Sequence, residues 1–226
     1  MPRFSLFMPT KNRPQMILEA IEGIRSQDFQ DWELLIQDGG ESVERSLPRD
    51  RRIKYFRPAD PLDRRGDTVL RMAMGDILSF QADDDILLPG TLAFVSEAMN
   101  GHKWMYGRTC DGAAPDPQNI LWGEPWNYEA LKDHNFIHAE ACFWTREARD
   151  TIGGWDIVND WVHDWDYWLK LGARWQPLYT ERVLAFYRLH SGQVSQYMSL
   201  TERRRQEDLI RYRVKIGWYD YKGGGK

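Results

Sequence analysis

GDILSFQADDDILLPGTL, Gly75 to Leu92, is the stretch that sets the fold. Asp76 to Gln81 is apolar enough for a strand covered on both faces, as at the centre of a parallel sheet. That strand runs straight into Asp83, Asp84 and Asp85. Pro89 and Gly90 then precede a helix with Leu92, Val95 and Met99 on one face. In open α/β sheets ligands bind outside the carboxyl ends of the strands, and three carboxylates crowded there are costly without a cation. Hard ions such as Mg²⁺ or Mn²⁺ take oxygen ligands and commonly bridge one or two carboxylates to substrate phosphates. The plainer alternative is a turn in which one aspartate caps the next helix; three at the end of a buried strand favour the metal.

Toward the N-terminus the pattern is strand, helix, strand, strand. Phe4 to Met8 reads as the first strand, and Pro14 opens a helix whose Ile17, Ala20, Ile21 and Ile24 form one apolar face. Trp32 to Gln37 and Arg52 to Arg57 are further strands, and Asp67 to Met74 reads as a helix. Pro9, Thr10, Asn12 and Arg13 therefore sit at the end of the first strand and Asp38 at the end of the second, side by side if the sheet is parallel. Asp38 can accept from a base N–H, Asn12 offers donor and acceptor, and Arg13 offers a fork for phosphate or carbonyl oxygens. Two loops with ordinary turn chemistry are the competing account. Arg64 and Arg65, in the loop before the acidic strand, suit either a diphosphate or solvent.

Toward the C-terminus, strands are expected at Lys103 to Thr109, Ala141 to Thr145 and Val183 to Leu189, with a loop at Asp111 to Gln118 and a short helix ending at Gly153 and Gly154. Asp164 to Leu171 reads as a helix closed by Gly172. Thr201 to Ile216 is a charged helix whose TERRRQED segment reads as a solvated face, followed by a glycine-rich flexible tail. The division expected is residues 1–198 as one domain and 199–226 as an appended helix and tail.

Composition excludes several classes. With 226 residues, 42% hydrophobic and 28% charged, the chain suits one globular domain. Thirty basic against 34 acidic residues give no field for nucleic-acid binding. Cys110 and Cys142 match no zinc spacing and read as buried free thiols. No stretch is long and apolar enough for a signal h-region or a membrane span, so the expected location is cytoplasmic or peripheral at a membrane. The 11 tryptophans read as core filler before sugar platforms.

The motifs together resemble glycosyltransferase family 2. PTKNRP at Pro9 to Pro14, QDGG around Asp38, and GDILSFQADDDILLPGTL each match a family segment, followed in family order by Gly153 to Asp156, HDWDYWL at His163 to Leu169 and YRLHSGQVS at Tyr187 to Ser195. The resemblance implies an α/β GT-A (nucleotide-diphospho-sugar transferase) fold: a Rossmann-like, mixed but mostly parallel sheet with helices on both faces. It implies an inverting transferase moving a sugar from a nucleotide-sugar, UDP first and GDP or TDP after it, onto an acceptor hydroxyl of a glycan, a lipid-linked or another acceptor. Mn²⁺ or Mg²⁺ would sit on the donor diphosphate, with Asp83, Asp84, Asp85 and His190 as the expected ligands. Ala82 stands where many relatives carry the first acid.

The same resemblance places the general base at Asp164, with His163 in place of the usual glutamate. Pro9, Thr10, Asn12, Arg13, Asp38, Arg65 and Asp83 are expected on the donor, and His138, Trp161 and His163 on the acceptor. Taken alone, Asp164 would read as an aspartate favoured by a helix N-terminus. A sugar-nucleotide nucleotidyltransferase would share fold and metal but usually opens with a glycine-rich loop, which PTKNRP lacks. A non-catalytic carbohydrate-binding module would explain the tryptophans but has no need of DDD or HDWD.

Overall fold

Apolar side chains alternate across β1 (Phe4–Thr10): Phe4, Leu6 and Met8 join the core on one face of the sheet, and Phe7 joins the core on the other. β2 (Trp32–Asp38) repeats this, with Leu34 and Ile36 opposite Leu35. Two-faced burial of this kind requires helices on both sides. The structure, a computed structural model, describes residues 2–57, 67–112, 114–155, 162–193 and 198–220. The expectations for Arg64, Arg65, Asp156, Trp161, Ser195 and the glycine-rich tail lie outside the described residues.

β1 pairs in parallel with β2 on one side, Thr10 opposite Asp38, and with β4 (Ile77–Phe80) on the other. β3 (Ile53–Phe56) extends the parallel set beyond β2. The chain thus winds outward from β1 through β2 and β3 and returns on the opposite side with β4, so the strand order reverses at β1 and a crevice opens there. Beyond β4 lie β8 (Cys142–Thr145), β6 (Trp104–Gly112), β9 (Leu178–Arg188) and, at the edge, β5 (Ile86–Leu87), while β7 (Ile120–Trp122) folds back on β6. The result is one mixed nine-stranded sheet whose longer ladders are parallel.

α1 (Met16–Arg25) buries the four residues expected of it, and with α3 (Thr91–Ala98) covers one face. α4 (Tyr128–Asp133), α5 (Arg146–Ile152), α6 (His163–Gly172) and α7 (Leu200–Lys215) contribute to the core of the other, with Val69 and Leu70 of α2 (Asp67–Arg71). That second core holds Trp104, Trp144, Trp155, Trp165 and Trp168, with Trp104 stacked on Trp168 at 6.3 Å and Trp155 on Tyr167 at 4.8 Å. These rings are core. Both cysteines are buried and free. Helix α7 docks through buried Ile210, and beyond it Tyr219 and Arg213 both reach Asp166 of α6, at 2.6 and 2.7 Å.

Several boundaries differ from those read in the sequence. α2 stops at Arg71 rather than Met74, because Met72 and Ala73 donate to Val69 and Leu70 three residues back and tighten the chain into Gly75. Gly75 lies so close to the backbone of Phe4 and Ser5 that a Cβ would clash. β6 continues through Gly112 because β9, starting at Leu178, pairs with it over that length. β5, β7 and α4 carry too few residues to show a period. No helix among the described residues is long and apolar enough to cross a membrane.

Candidate active site

The crevice at the ends of β1, β2 and β4 is a cleft of about 1100 Å³. Pro9 to Arg13 from β1, Asp38 from β2, Asp83 to Asp85 after β4, and His138, Glu140 and His190 to Gln193 from the second half of the chain all line it. Residues up to 179 positions apart thus share one wall, as the bond from Arg13 Nη2 to the Gly192 carbonyl (2.9 Å) illustrates.

None of the three aspartates caps α3, whose N-cap is Gly90. Asp83 accepts from Thr10 Oγ1 and Arg13 Nη1, each at 2.7 Å. Asp84 Oδ2 lies 2.7 Å from Arg13 Nη1 and 3.0 Å from His190 Nε2. Asp85 accepts the Arg188 N–H at 3.0 Å. Burial, reinforced by Asp84, pushes the Asp83 carboxyl upward despite Thr10 and Arg13, and burial with Glu140 pushes Asp85 well upward despite His138. Both would gain from additional positive charge.

The loop after β9 is held by Gln193, which accepts from His190 N–H and donates to the Arg188 carbonyl. Gly192 N–H donates to His190 Nδ1 at 3.1 Å, so the neutral ring carries its proton on Nε2 and gives it to Asp84. The Arg188 guanidinium pairs with Glu19 of α1 at 2.6 Å. On the opposite rim Asp38 is fully buried, and its oxygens accept from Gly40 N–H, Val43 N–H and Tyr55 Oη. Asn12 Oδ1 accepts from Glu41 N–H at 2.8 Å, which leaves its amide N–H groups as donors.

Across the cleft His138 stacks on Trp122 at 5.9 Å and meets the edge of Tyr187 at 4.9 Å. Its Nδ1 lies 2.9 Å from Glu140 Oε2. Burial opposes the imidazolium, but Glu140, Asp85 and Asp164 outweigh it and raise the His138 pKa to about 9. Ligand atoms of Asp85, His138 and Glu140 all lie within 4.8 Å of one another. Glu140 is a residue that motif reading missed; its signal is a lone carboxylate in the apolar run Phe136 to Trp144.

Residues 5–103, from β1 to the residue before β6, match the family model described as glycosyl transferase family 2. Over that stretch, just under half of the chain, the sequence resembles that family. This family 2 stretch carries Thr10, Arg13, Asp38 and the acidic turn, while His138, Glu140, Asp164 and His190 lie beyond it. A GalNAc(5)-diNAcBac-PP-undecaprenol beta-1,3-glucosyltransferase of Campylobacter jejuni is 34% identical over 118 residues, covering 47% of this chain and 38% of the relative. A PGL/p-HBAD biosynthesis glycosyltransferase of Mycobacterium bovis is 27% identical over 183 residues, covering 74% and 68%. This chain therefore spans well under half of the first relative's length and about two thirds of the second's. Among solved structures, the mannosyltransferase PcManGT of Pyrobaculum calidifontis, in complex with GDP-Man and Mn²⁺, superposes with a TM-score of 0.68 at 18% identity, covering 100% of this chain and 65% of that one. S. aureus TarS 1-349 in complex with UDP-GlcNAc gives 0.66 at 14%, covering 88% and 62%. The fold is GT-A.

Outside the family 2 stretch, Asp164 lies in the first turn of α6. One carboxylate oxygen accepts from Trp165 N–H at 2.7 Å and the other from Asn135 Nδ2 at 3.1 Å. Burial holds this carboxyl above its ordinary range, while His163 and His138 pull the other way. His163 packs on Trp155 and on Phe80, and Phe80 lines the cleft. Neither Asp164 nor His163 is itself among the lining residues; Asp164 is joined to the cleft through the charges of His138 and Glu140.

Proposed function

We propose that this chain is an inverting glycosyltransferase that moves a sugar from a nucleotide-sugar, with UDP or GDP as its nucleotide, onto an acceptor hydroxyl. The observation that carries the reading is the single cleft in which Arg13, the acidic turn and His190 meet at the switch point of the sheet. Pro9, Thr10, Asn12, Arg13, Asp38 and Asp83 form the donor side. The catalytic unit on this reading is residues 1–198, with α7 bracing α6 from behind.

The donor set fits a hard divalent cation, Mn²⁺ or Mg²⁺. Burial, with neighbouring carboxylates, holds two of its carboxylates above their ordinary range, and oxygen with one imidazole suits such an ion. Asp83, Asp84, Asp85 and His190 would hold it. A cation there would supply Lewis-acid stabilisation of the departing diphosphate. Arg13 orients the phosphates, and Asp164 takes the acceptor proton as the hydroxyl attacks the anomeric carbon on the face opposite the leaving group. Such general-base help is worth about 10²–10⁴ in rate.

His138 and His163 stand on the acceptor side. The acceptor itself is read as lipid-linked and the reaction as occurring at a membrane surface, a reading supported by the Campylobacter relative, a GalNAc(5)-diNAcBac-PP-undecaprenol glucosyltransferase. Calorimetry of UDP and GDP with and without Mn²⁺, followed by turnover with the matching nucleotide-sugars, tests the reading. Metal-dependent binding and release of a nucleoside diphosphate are expected. Release of pyrophosphate from a nucleoside triphosphate would instead identify a nucleotidyltransferase, and glycan binding without nucleotide binding a carbohydrate-binding module.

A further inference from the structure

Between the acidic turn and Asp164 lies a carboxylate that this reaction leaves unused. Glu140 is 4% exposed and sits in a single 3-10 turn, Ala139–Ala141, just before β8. A buried carboxylate is costly unless its partners compensate it, so what Glu140 holds is informative. Oε1 accepts the Ala82 N–H at 3.2 Å, and the Glu140 carbonyl accepts from Gln81 Nε2 at 3.3 Å. Gln81 Nε2 also donates to Ser79 Oγ, which donates to the Cys142 carbonyl. Oε2 faces His138 Nδ1 at 2.9 Å, and the pair adjoins Asp85 at the other end of the turn. Entry and exit of the acidic turn therefore rest on one side chain and its ion-pair partner.

We propose that Glu140 is a positioning residue for the acidic turn: it fixes the Ala82 amide directly and the Asp85 end through His138, so that the three carboxylates keep their spacing as a cation and a diphosphate load. The inference rests on the reading of that turn as the cation site. A purely structural Glu140 would brace the strands; this one braces the turn that follows β4.

The 226-residue chain carrying Glu140→Ala or Glu140→Gln is compared with wild type by hydrogen exchange of the peptide spanning 77–87 and by the Mn²⁺ dependence of UDP and GDP affinity. In E140A, exchange at the turn is expected to rise about 10-fold or more, the equivalent of one lost hydrogen bond to a charged group. Mn²⁺-dependent affinity should fall about 10–100-fold, as for other groups that hold metal ligands in place. E140Q keeps an oxygen for the Ala82 N–H but gives up the ion pair with His138, so it should fall between wild type and E140A on both readouts. E140A equal to wild type on either readout overturns the proposal. So does E140Q failing as badly as E140A, which would make Glu140 itself a ligand. Wild-type affinity that ignores Mn²⁺ refutes the cation reading instead, and the exchange result then still decides whether Glu140 holds the turn. If E140A does not fold, E140D withdraws the carboxylate by one methylene; loosened exchange supports the proposal and unchanged exchange overturns it.

Discussion

Asp164 and Asp166 lie two residues apart in the same helix, and substituting each with asparagine should separate catalysis from stability. Asp164 is half-buried, its charge is disfavoured by burial, and Asn135 can keep its bond to an amide oxygen. The other oxygen, which accepts from Trp165 N–H, becomes an amide nitrogen, so Asp164→Asn should cost about 1 kcal/mol, the worth of one hydrogen bond, while transfer falls by about 10²–10⁴. Asp166 is 0% exposed and compensates Arg213 Nη1 at 2.7 Å, Lys170 Nζ at 2.8 Å and Tyr219 Oη at 2.6 Å. Removing its charge leaves two cations facing a neutral amide. Breaking a buried pair costs about 3–5 kcal/mol. The lower end applies, because the side chains of Arg213 and Lys170 keep 13% and 14% exposure. At about 2–4 °C per kcal/mol for a chain of this size, Tm of Asp166→Asn should drop by roughly 6–12 °C. Thermal unfolding and nucleoside diphosphate release, measured on both variants, give the comparison. Wild-type turnover in D164N removes Asp164 from the base role, and an unchanged Tm in D166N refutes the buried-pair argument.

Joint Asp84→Ala and Asp85→Ala substitution should abolish the Mn²⁺ dependence of donor affinity in calorimetry; wild-type binding that ignores a chelator would contradict the metal assignment. The base works deprotonated, so kcat should fall as pH drops through the Asp164 pKa. Because burial raises that pKa, the acid limb should lie above the ordinary value of about 4, and His138→Gln should move it higher by removing a positive charge that favours the carboxylate. An acid limb at the ordinary value, or one unmoved by H138Q, counts against this electrostatic account. Arg13→Lys keeps a charge but not the fork that spans Asp83, Asp84 and the Gly192 carbonyl; nucleoside diphosphate affinity should fall about 10-fold, and equal affinity would show that the fork is dispensable.

Much of the parallel half was legible because its burial repeats: Ile17, Ala20, Ile21 and Ile24 announce α1, and apolar runs announce β1, β2 and β4. The acidic turn was legible because three aspartates after a buried strand have few bland explanations. The pairing of Asp84 with His190 spans 106 residues and depends on how β9 lies beside β5, a two-residue strand with no period of its own. Asp38 reads as a free carboxylate until Tyr55, 17 residues on, is seen to donate to it. Nor does HDWDYWL distinguish its two aspartates: Asp166 is occupied by Arg213 and Tyr219 from the far end of the chain.

At the rim of the cleft, Asn12 is the one non-glycine residue with a left-handed backbone among those described, at φ 58°. Its side chain bonds to Glu41 N–H, and a Cβ on Gly40 would overlap that same side chain. The two lips therefore meet by shape rather than by sequestering apolar surface, so a bulkier residue at Gly40 would deform the mouth and spare the interior. A screen that scores variants by melting alone would miss how far the mouth had changed, which ligand binding reports directly.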